Sequence, residues 1–530
     1  MTPAETSSLR KDRTGRPFKR VLVANRGEIA VRIIRACREL GVETVAVFSD
    51  ADEGAAHVRL ADQAIRIGPA PAGESYLRGD RIIDAGRSAG AEAIHPGYGF
   101  LAERAAFARA TGDAGIIFVG PSSTTIELLG DKVRARRAAT DAGVAILPGT
   151  LDPVDVSAAD GLASIRAVAE RIGFPLLVKA AAGGGGRGMR RVASSADLEL
   201  ALRDGASEAA AAFGDGAVYL EREIQPARHV EVQLLGDGDG TIVALGERDC
   251  TLQRRHQKLV EEAPAPGLTA DDRRTLHASA IAAATAVGLV NAATAEFLMD
   301  RHGRFWFLEI NTRLQVEHGV TELVHDIDIV REQLWIAAGA PLSDRVRQAA
   351  AASVRPTRHA IEVRISAEDP AREFAPAPGV IGRWAMPDGP GVRVDTAVGA
   401  GSRVPADYDP LIAKVMVVDE TREAAIDRLA RALGETVISG IQTTLPFHRF
   451  VAADPGFRAG PRSVDWVDTA WAPIAVERRH AALGRAVRLA AKASTARAPQ
   501  AGGRDEQRDG QPVSAWARVG RADAVDRWPR

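Results

Sequence analysis

A multidomain chain of mixed α/β and α+β type is what the sequence predicts, and three observations carry the prediction. The first is length: 530 residues exceed the ~250–300 at which single cores stop growing, so several domains are expected. The second is a βαβ unit near the start. Residues 19–24 read as a strand, and Asn25-Arg26-Gly27-Glu28 turns into a helix. Its apolar positions Ile29, Ile33, Ile34, Cys37 and Leu40 recur at helical spacing until Gly41 stops it, and residues 42–49 form the next strand. Continued alternation to Gly120 makes residues 18–120 a parallel α/β domain with its working loops at strand C-termini. The third is a strand-rich middle from Tyr219 onward: 219–221, 229–235, 241–248, then, after a helix over 270–287, a hairpin pairing 293–300 with 304–310 around Arg301–Gly303.

Composition excludes several function classes. The hydrophobic fraction of 46% and charged fraction of 26% suit a folded chain with a sizeable core. A formal net charge of −1 argues against a broad nucleic-acid footprint, so any anion site must be local. Cys37 and Cys250 are the only cysteines, too few for a disulfide framework or zinc cluster, which fits a reducing compartment. No apolar run approaches the ~20 residues of a membrane helix, and residues 1–17 lack the apolar core of a secretion signal. A cytoplasmic protein is expected, with weakly ordered segments at 1–17 and 497–530.

The hairpin is the most informative segment. Its pairing sets Glu296 almost directly across from Glu309, and facing carboxylates repel. After the turn, a period-two pattern points Glu309, Asn311, Arg313, Gln315 and Glu317 one way and Ile310, Thr312, Leu314 and Val316 the other. Two readings stand: a solvated strand face, or an active-site wall whose carboxylates and Asn311 amide oxygen suit Mg²⁺ beside a nucleotide phosphate.

Other segments bear on that choice. Asn-Arg-Gly-Glu is neither the glycine fingerprint of dinucleotide binders nor a Walker loop. In His95-Pro96-Gly97-Tyr98-Gly99-Phe100 the glycines mark a sharp turn. Two short strands between Phe174 and Val192 flank Gly183-Gly184-Gly185-Gly186-Arg187-Gly188, with Lys179 ahead of them. This is either a flexible hairpin or a lid dropping N–H groups onto phosphate oxygens. Residues 249–258 are dense in donors, with His256 and Lys258 on one face if extended, and read equally as a basic edge strand or a site wall. Arg364 sits mid-strand between apolar residues and needs a partner or a ligand. Glu362, on the same face, offers an ion pair.

Taken together, these residues resemble the biotin carboxylase family of the ATP-grasp superfamily. The resemblance runs from about residue 18 to 470 and rests on residues 24–30, 95–100, Gly130-Asp131-Lys132, 179–189, 247–258 followed by Glu261-Glu262-Ala263-Pro264, and 309–318, in the family's order. It implies an ATP-grasp fold: a tail over 1–17, an N-terminal parallel α/β (pre-ATP-grasp) domain over 18–134, a glycine-rich lid domain over 135–223, a catalytic domain over 224–350, a C-terminal biotin carboxylase domain over 351–472 and a tail over 473–530.

The site residues follow by the same resemblance. Lys132 and Lys179 would hold ATP phosphates, Gly184, Gly185, Gly186 and Met189 would close over the nucleotide, Glu221 would meet adenine, and His229, Gln253 and His256 would line the cleft. Glu296, Glu309 and Asn311 would bind Mg²⁺ or Mn²⁺. Lys258, Arg313, Gln315 and Val316 would hold bicarbonate, Glu317 would be the base that deprotonates it, and Arg364 would stabilise the biotin enolate. ATP and the metal are then the cofactors, and biotin is a carrier-bound substrate. None of Met1, Met189, Met299, Met386 or Met416 has a neighbouring Lys, so no biotin attachment site is expected on this chain. The implied partners are a biotin carboxyl carrier protein, carboxyltransferase subunits and a second copy in a homodimer, with no nucleic acid and no membrane.

Two positions depart from the family pattern. Ala182 replaces the first glycine of the tract, which should stiffen the lid hinge, and Gly319 replaces a usual proline, which should loosen the backbone after Glu317. The rival readings are another ATP-grasp ligase joining a carboxylate to an amine, which has no need of Lys258, Arg313 and Glu317 together, and a non-catalytic carboxylase-like subunit. The final acceptor is expected to be acetyl-CoA or propionyl-CoA, with pyruvate or urea as alternatives.

Overall fold

The computed structural model describes residues 13, 15–154, 161–180, 189–214, 216–460 and 463–471, together with 474, 477, 478, 481, 484 and 485. Residues 1–476 form one compact unit and 477–530 another. Within the first, three larger sheets organise the chain.

The N-terminal sheet is parallel, with strands in the order Gln63–Gly68, Glu43–Ser49, Arg20–Val23, Ala93–His95 and Ile117–Phe118. Val21, Leu22 and Val23 are fully buried, as expected of a parallel strand covered on both faces. Strand order reverses at Arg20–Val23, so the loops leaving this strand and its neighbour Ala93–His95 open at the switch point where α/β sheets build their clefts. Asn25 ties those loops together: its amide donates to the carbonyls of Pro96 and Tyr98 at 2.7 Å each. The first helix, Gly27–Glu39, ends just before Gly41, whose φ of 67° is a left-handed conformation that glycine adopts without strain.

A three-stranded antiparallel sheet pairs Leu176–Ala180 with both Arg190–Val192 and Val218–Arg222. Leu176, Val178, Val192, Leu198, Leu202, Val218 and Leu220 fill its small core. The glycine run lies outside the described residues, as does Ala182.

The eight-stranded sheet runs in the order Phe305–Asn311, Asn291–Asp300, Ala227–Gly236, Ile242–Arg254, Gln257–Ala263, His359–Ser366, Leu411–Asp419, Val392–Thr396, with every pairing antiparallel. The acidic hairpin falls at one edge in the expected register, Glu296 opposite Glu309.

Two expectations change here. The period-two ladder stops at Asn311, and residues 312–317 leave the sheet before the helix His318–His325 begins. The donor-rich stretch 249–258 is an interior hairpin instead of an edge strand: Arg254 pairs with Gln257, and Arg255 and His256 form the two-residue turn at φ 48° and 64°. Positive φ at both turn positions matches the right-handed twist of the flanking strands. His256 is therefore an exposed turn residue and shares no extended face with Lys258.

Candidate active site

Strand register alone lines up a row of charge across four strands. Glu309 faces Glu296, Glu296 faces Glu231, and Glu231 faces Arg248. Acids adjacent on one sheet face would repel, and here the protein supplies its own cations to prevent it. Arg248, fully buried, donates to Glu231 at 2.6 Å and to Gln233, Thr321 and Thr294 at 2.8, 2.9 and 3.0 Å. Lys258 reaches over from the next strand and donates to Glu231, to Glu296 at 3.0 Å and to Glu317 at 2.7 Å.

Glu296 collects further donors. The amides of Asn311 and Gln315 reach it at 2.9 and 3.1 Å, and His229 Nε2 lies 3.1 Å away. Burial would raise the Glu296 carboxyl, but Lys258 and His229 hold it well below the usual carboxylate range. Burial opposes the Lys258 ammonium, yet Glu231, Glu296 and Glu317 keep it protonated far above the ordinary lysine value.

Glu317 sits at the N-terminal end of His318–His325, wholly buried. Lys258 takes one carboxylate oxygen, and Arg364 donates to the other at 2.9 Å. Burial pushes this group up, but Lys258, Arg364 and Arg248 drive it well below normal, so it is a carboxylate. The strand-centre arginine thus has partners, although not the expected one: its Nε donates to Glu261 at 2.6 Å, and Glu362 makes no ion pair with it. Neither Glu362 oxygen has a hydrogen-bond partner in the described structure. Burial first, then Glu261 opposite it in register, raises the Glu362 carboxyl despite Lys414 nearby. A buried carboxyl without hydrogen bonds is stable only when neutral.

Arg313, from the irregular 312–317 segment, donates to Gln315 at 2.9 Å, to Asn311 at 3.2 Å and to Glu103 at 2.8 Å. The structure therefore brings Lys258, Glu296, Asn311, Arg313, Gln315, Glu317 and Arg364 into one linked cluster, with the Val316 carbonyl held by Lys414 at 2.8 Å. Gln253 is buried opposite Lys258, and His229 is buried beside Glu296.

The remaining candidates are held differently. Lys132, at the start of the helix Lys132–Asp141, meets the half-buried Glu309 at 3.4 Å. Lys179 bonds to Glu221, its diagonal neighbour on the three-stranded sheet, and Arg136 bonds to the other Glu221 oxygen at 2.5 Å. The Glu221 carboxylate is thereby taken up by cations. Met189 is half-buried immediately before the strand Arg190–Val192, whereas Gly184, Gly185 and Gly186 lie outside the described residues.

Sequence reasoning missed Glu231, Arg248, Glu261, Glu103, Arg136 and Lys414. Glu231 was findable, since it follows His229 by two residues in the same strand and so shares its face. Glu103 was not, because its pairing with Arg313 spans more than two hundred positions. Gly319 also reads differently in three dimensions. A Cβ there would meet Met416 Sδ at 2.3 Å, so its lack of a side chain lets the 318–325 helix pack close against Leu411–Asp419.

Among the described residues no helix is long and apolar enough to cross a membrane. Family models match the chain in three blocks: the biotin carboxylase N-terminal domain over residues 17–126, the carbamoyl-phosphate synthase L chain ATP-binding domain over 131–345 and the biotin carboxylase C-terminal domain over 362–469. A biotin carboxylase of Haemophilus influenzae is 47% identical over 451 residues, 85% of this chain and 98% of that protein. A pyruvate carboxylase subunit of Methanothermobacter thermautotrophicus is 45% identical over 452 residues, covering 85% and 90%. Among solved structures, the biotin carboxylase domain dimer of a Hydrogenobacter thermophilus 2-oxoglutarate carboxylase, bound to magnesium ADP, ADP and bicarbonate, superposes with a TM-score of 0.81 at 43% identity, covering 87% and 98% of the two chains. A mixed α/β ATP-grasp architecture with this buried cation and carboxylate cluster, matched along most of its length, places the chain in the biotin carboxylase family.

Proposed function

We propose that this chain carboxylates biotin carried on a separate biotin carboxyl carrier protein, using ATP and hydrogencarbonate and releasing ADP and phosphate. The observation that carries the reading is Glu317 held as a carboxylate between Lys258 and Arg364. A base kept ionised by two cations becomes a proton acceptor once those cations turn toward an arriving anion.

In this reading bicarbonate enters beside Lys258, Arg313 and the Gln315–Val316 backbone. Glu317 accepts its proton while the freed oxygen pair attacks the γ-phosphorus, and the bond from that phosphorus to ADP breaks. Carboxyphosphate then splits its C–O bond to give CO₂ and phosphate, phosphate takes the ureido N–H proton of biotin, and the nitrogen attacks CO₂. Arg364 stabilises the negative charge that biotin carries between those events. Lys132, Lys179, the lid glycines 184–186, Met189, Glu221, His229, Gln253 and His256 belong to the nucleotide side.

Glu296, Glu309 and Asn311 supply hard oxygen donors on two paired strands, a set suited to Mg²⁺ or Mn²⁺. A metal there neutralises phosphate charge. His229, Glu231 and Glu296 form a second convergent set, their ligand atoms within 4.8 Å of one another.

The carrier, the carboxyltransferase and a second copy of the chain are the partners this reading requires. The division at residues 134, 223 and 350 belongs to it too. The choice of acceptor, acetyl-CoA or propionyl-CoA against pyruvate or urea, belongs in this reading to the transferase, since relatives named for pyruvate and 2-oxoglutarate share this architecture.

Phosphate release from ATP, Mg²⁺, bicarbonate and free biotin tests the proposal. Turnover should require bicarbonate, rise with biotin and vanish in Glu317→Gln. Turnover demanding an amine in place of bicarbonate, or persisting in that variant, would overturn it.

A further inference from the structure

Lys414 lies on the strand Leu411–Asp419 with its side chain completely buried. Its shortest polar contact is to a backbone carbonyl: Nζ donates to Val316 O at 2.8 Å, while Glu28 and Asp395 stand off at 3.5 and 3.6 Å. Burying an ammonium costs several kcal/mol unless its protons find partners. Here the acids set the charge from a distance, and the close bond goes to the segment ahead of Glu317.

Register explains why that bond is where it is. Lys414 is directly opposite Arg364 on the neighbouring strand, so both project from the same sheet face. Two cations side by side repel unless each has its own acids. Arg364 has Glu261 and Glu317, and Lys414 has Glu28 and Asp395. The paired cations then grip consecutive residues of one segment, Lys414 the main chain at Val316 and Arg364 the side chain of Glu317. That segment, 312–317, lies outside both strand and helix, so neither ladder fixes its orientation. Because the peptide unit is planar, holding its carbonyl oxygen restrains the orientation of the whole unit, in this case the one leading into Glu317.

We propose that Lys414 is a positioning residue for bicarbonate deprotonation: by anchoring the Val316 carbonyl it aims the Glu317 carboxylate at its substrate. The inference rests on the carboxylation reading above. The two fail separately, because wild-type protein without bicarbonate-dependent ATP cleavage removes that reading, whereas active wild type with an unimpaired Lys414 variant removes only this one.

Three purified full-length variants test it: Lys414→Met, Glu28→Gln and the double variant, which removes an opposed pair of charges together. ATP cleavage with bicarbonate and biotin gives kcat and the KM values for bicarbonate and MgATP, and thermal unfolding reports folding. A misaimed base should lower kcat by about 10–100-fold in both Lys414→Met and the double variant. The KM for MgATP should stay unchanged, and Glu28→Gln alone should retain near wild-type kcat. The proposal is overturned by wild-type kcat in the double variant, or by Glu28→Gln losing as much as the double variant, which would locate the effect in the ion cluster. Failure of both Lys414 variants to fold also overturns it, since the residue would then be structural.

Discussion

The two ends of the proposed cleft are wired in opposite ways. At the bicarbonate end, Lys258, Arg248 and Arg364 serve Glu231, Glu296 and Glu261 on the interior strands of the large sheet and Glu317 on the segment that leaves it, so acids outnumber the cations among them. At the nucleotide end, Glu221 alone takes both Lys179 and Arg136, and Lys132 leans on a partly exposed Glu309. One end is preorganised by mutual pairing of buried charges, and its Lys258 and Arg364 release Glu317 only for an arriving anion. The other holds cations on replaceable partners, ready to move to phosphate oxygens.

Substitution tests that contrast directly. Lys258→Met strips the shared partner from three buried acids and should cost about 3–5 kcal/mol of stability, read by chemical denaturation. Lys179→Met leaves Glu221 with Arg136, so its loss should be much smaller and its main effect a raised KM for MgATP. Equal losses in the two variants would break the comparison. Arg364→Ala should lower biotin-dependent phosphate release by ~10²–10³ while MgATP binding survives. A parallel fall in nucleotide affinity would merge the two ends.

Acidity sharpens the picture further. Burial first, with Glu317 adding and Arg364 opposing, pushes the Glu261 carboxyl up to about 7 from its ordinary 4.5. Between those values the native protein holds a proton that the unfolded chain has lost. The stability this group contributes is therefore complete below 4.5 and declines as pH climbs through 7, by at most ~1.4 kcal/mol per pH unit. Unfolding midpoints of wild type and Glu261→Gln should lie closest at low pH and separate across that window, wild type falling as pH rises, and parallel curves would contradict the assignment. The smallest effect is expected at Gly319→Ala. The new methyl displaces Met416, a flexible neighbour, against a gain in helix propensity, for a net loss of about 1 kcal/mol measured by thermal unfolding.

Much of this was legible in the residues themselves. Hairpin pairing around Arg301–Gly303 put Glu296 across from Glu309, helical spacing and Gly41 delimited the first helix, and mid-strand Arg364 announced that it needed a partner. The identity of its partners was hidden, because Glu261 reaches Arg364 through strand order and Glu317 from a segment outside the sheet, neither of which local pattern encodes. The same limit concealed Arg248 and Lys414. The ladder beyond Asn311 misled because polar alternation persists in sequence where the backbone has already left the sheet. His256 misled because a type I′ turn without Asn or Gly carries no compositional signal.

The row from Glu309 through Glu296 and Glu231 to Arg248 has a bearing on assembly as well as chemistry. Sliding any one of those strands by a single residue would swap its two faces, thrusting a carboxylate or guanidinium into aliphatic packing and stranding the counter-charges left behind. Electrostatics and oil-like packing therefore veto the same misalignments, and the charged row beside the proposed site also acts as a proofreader of how the sheet is put together.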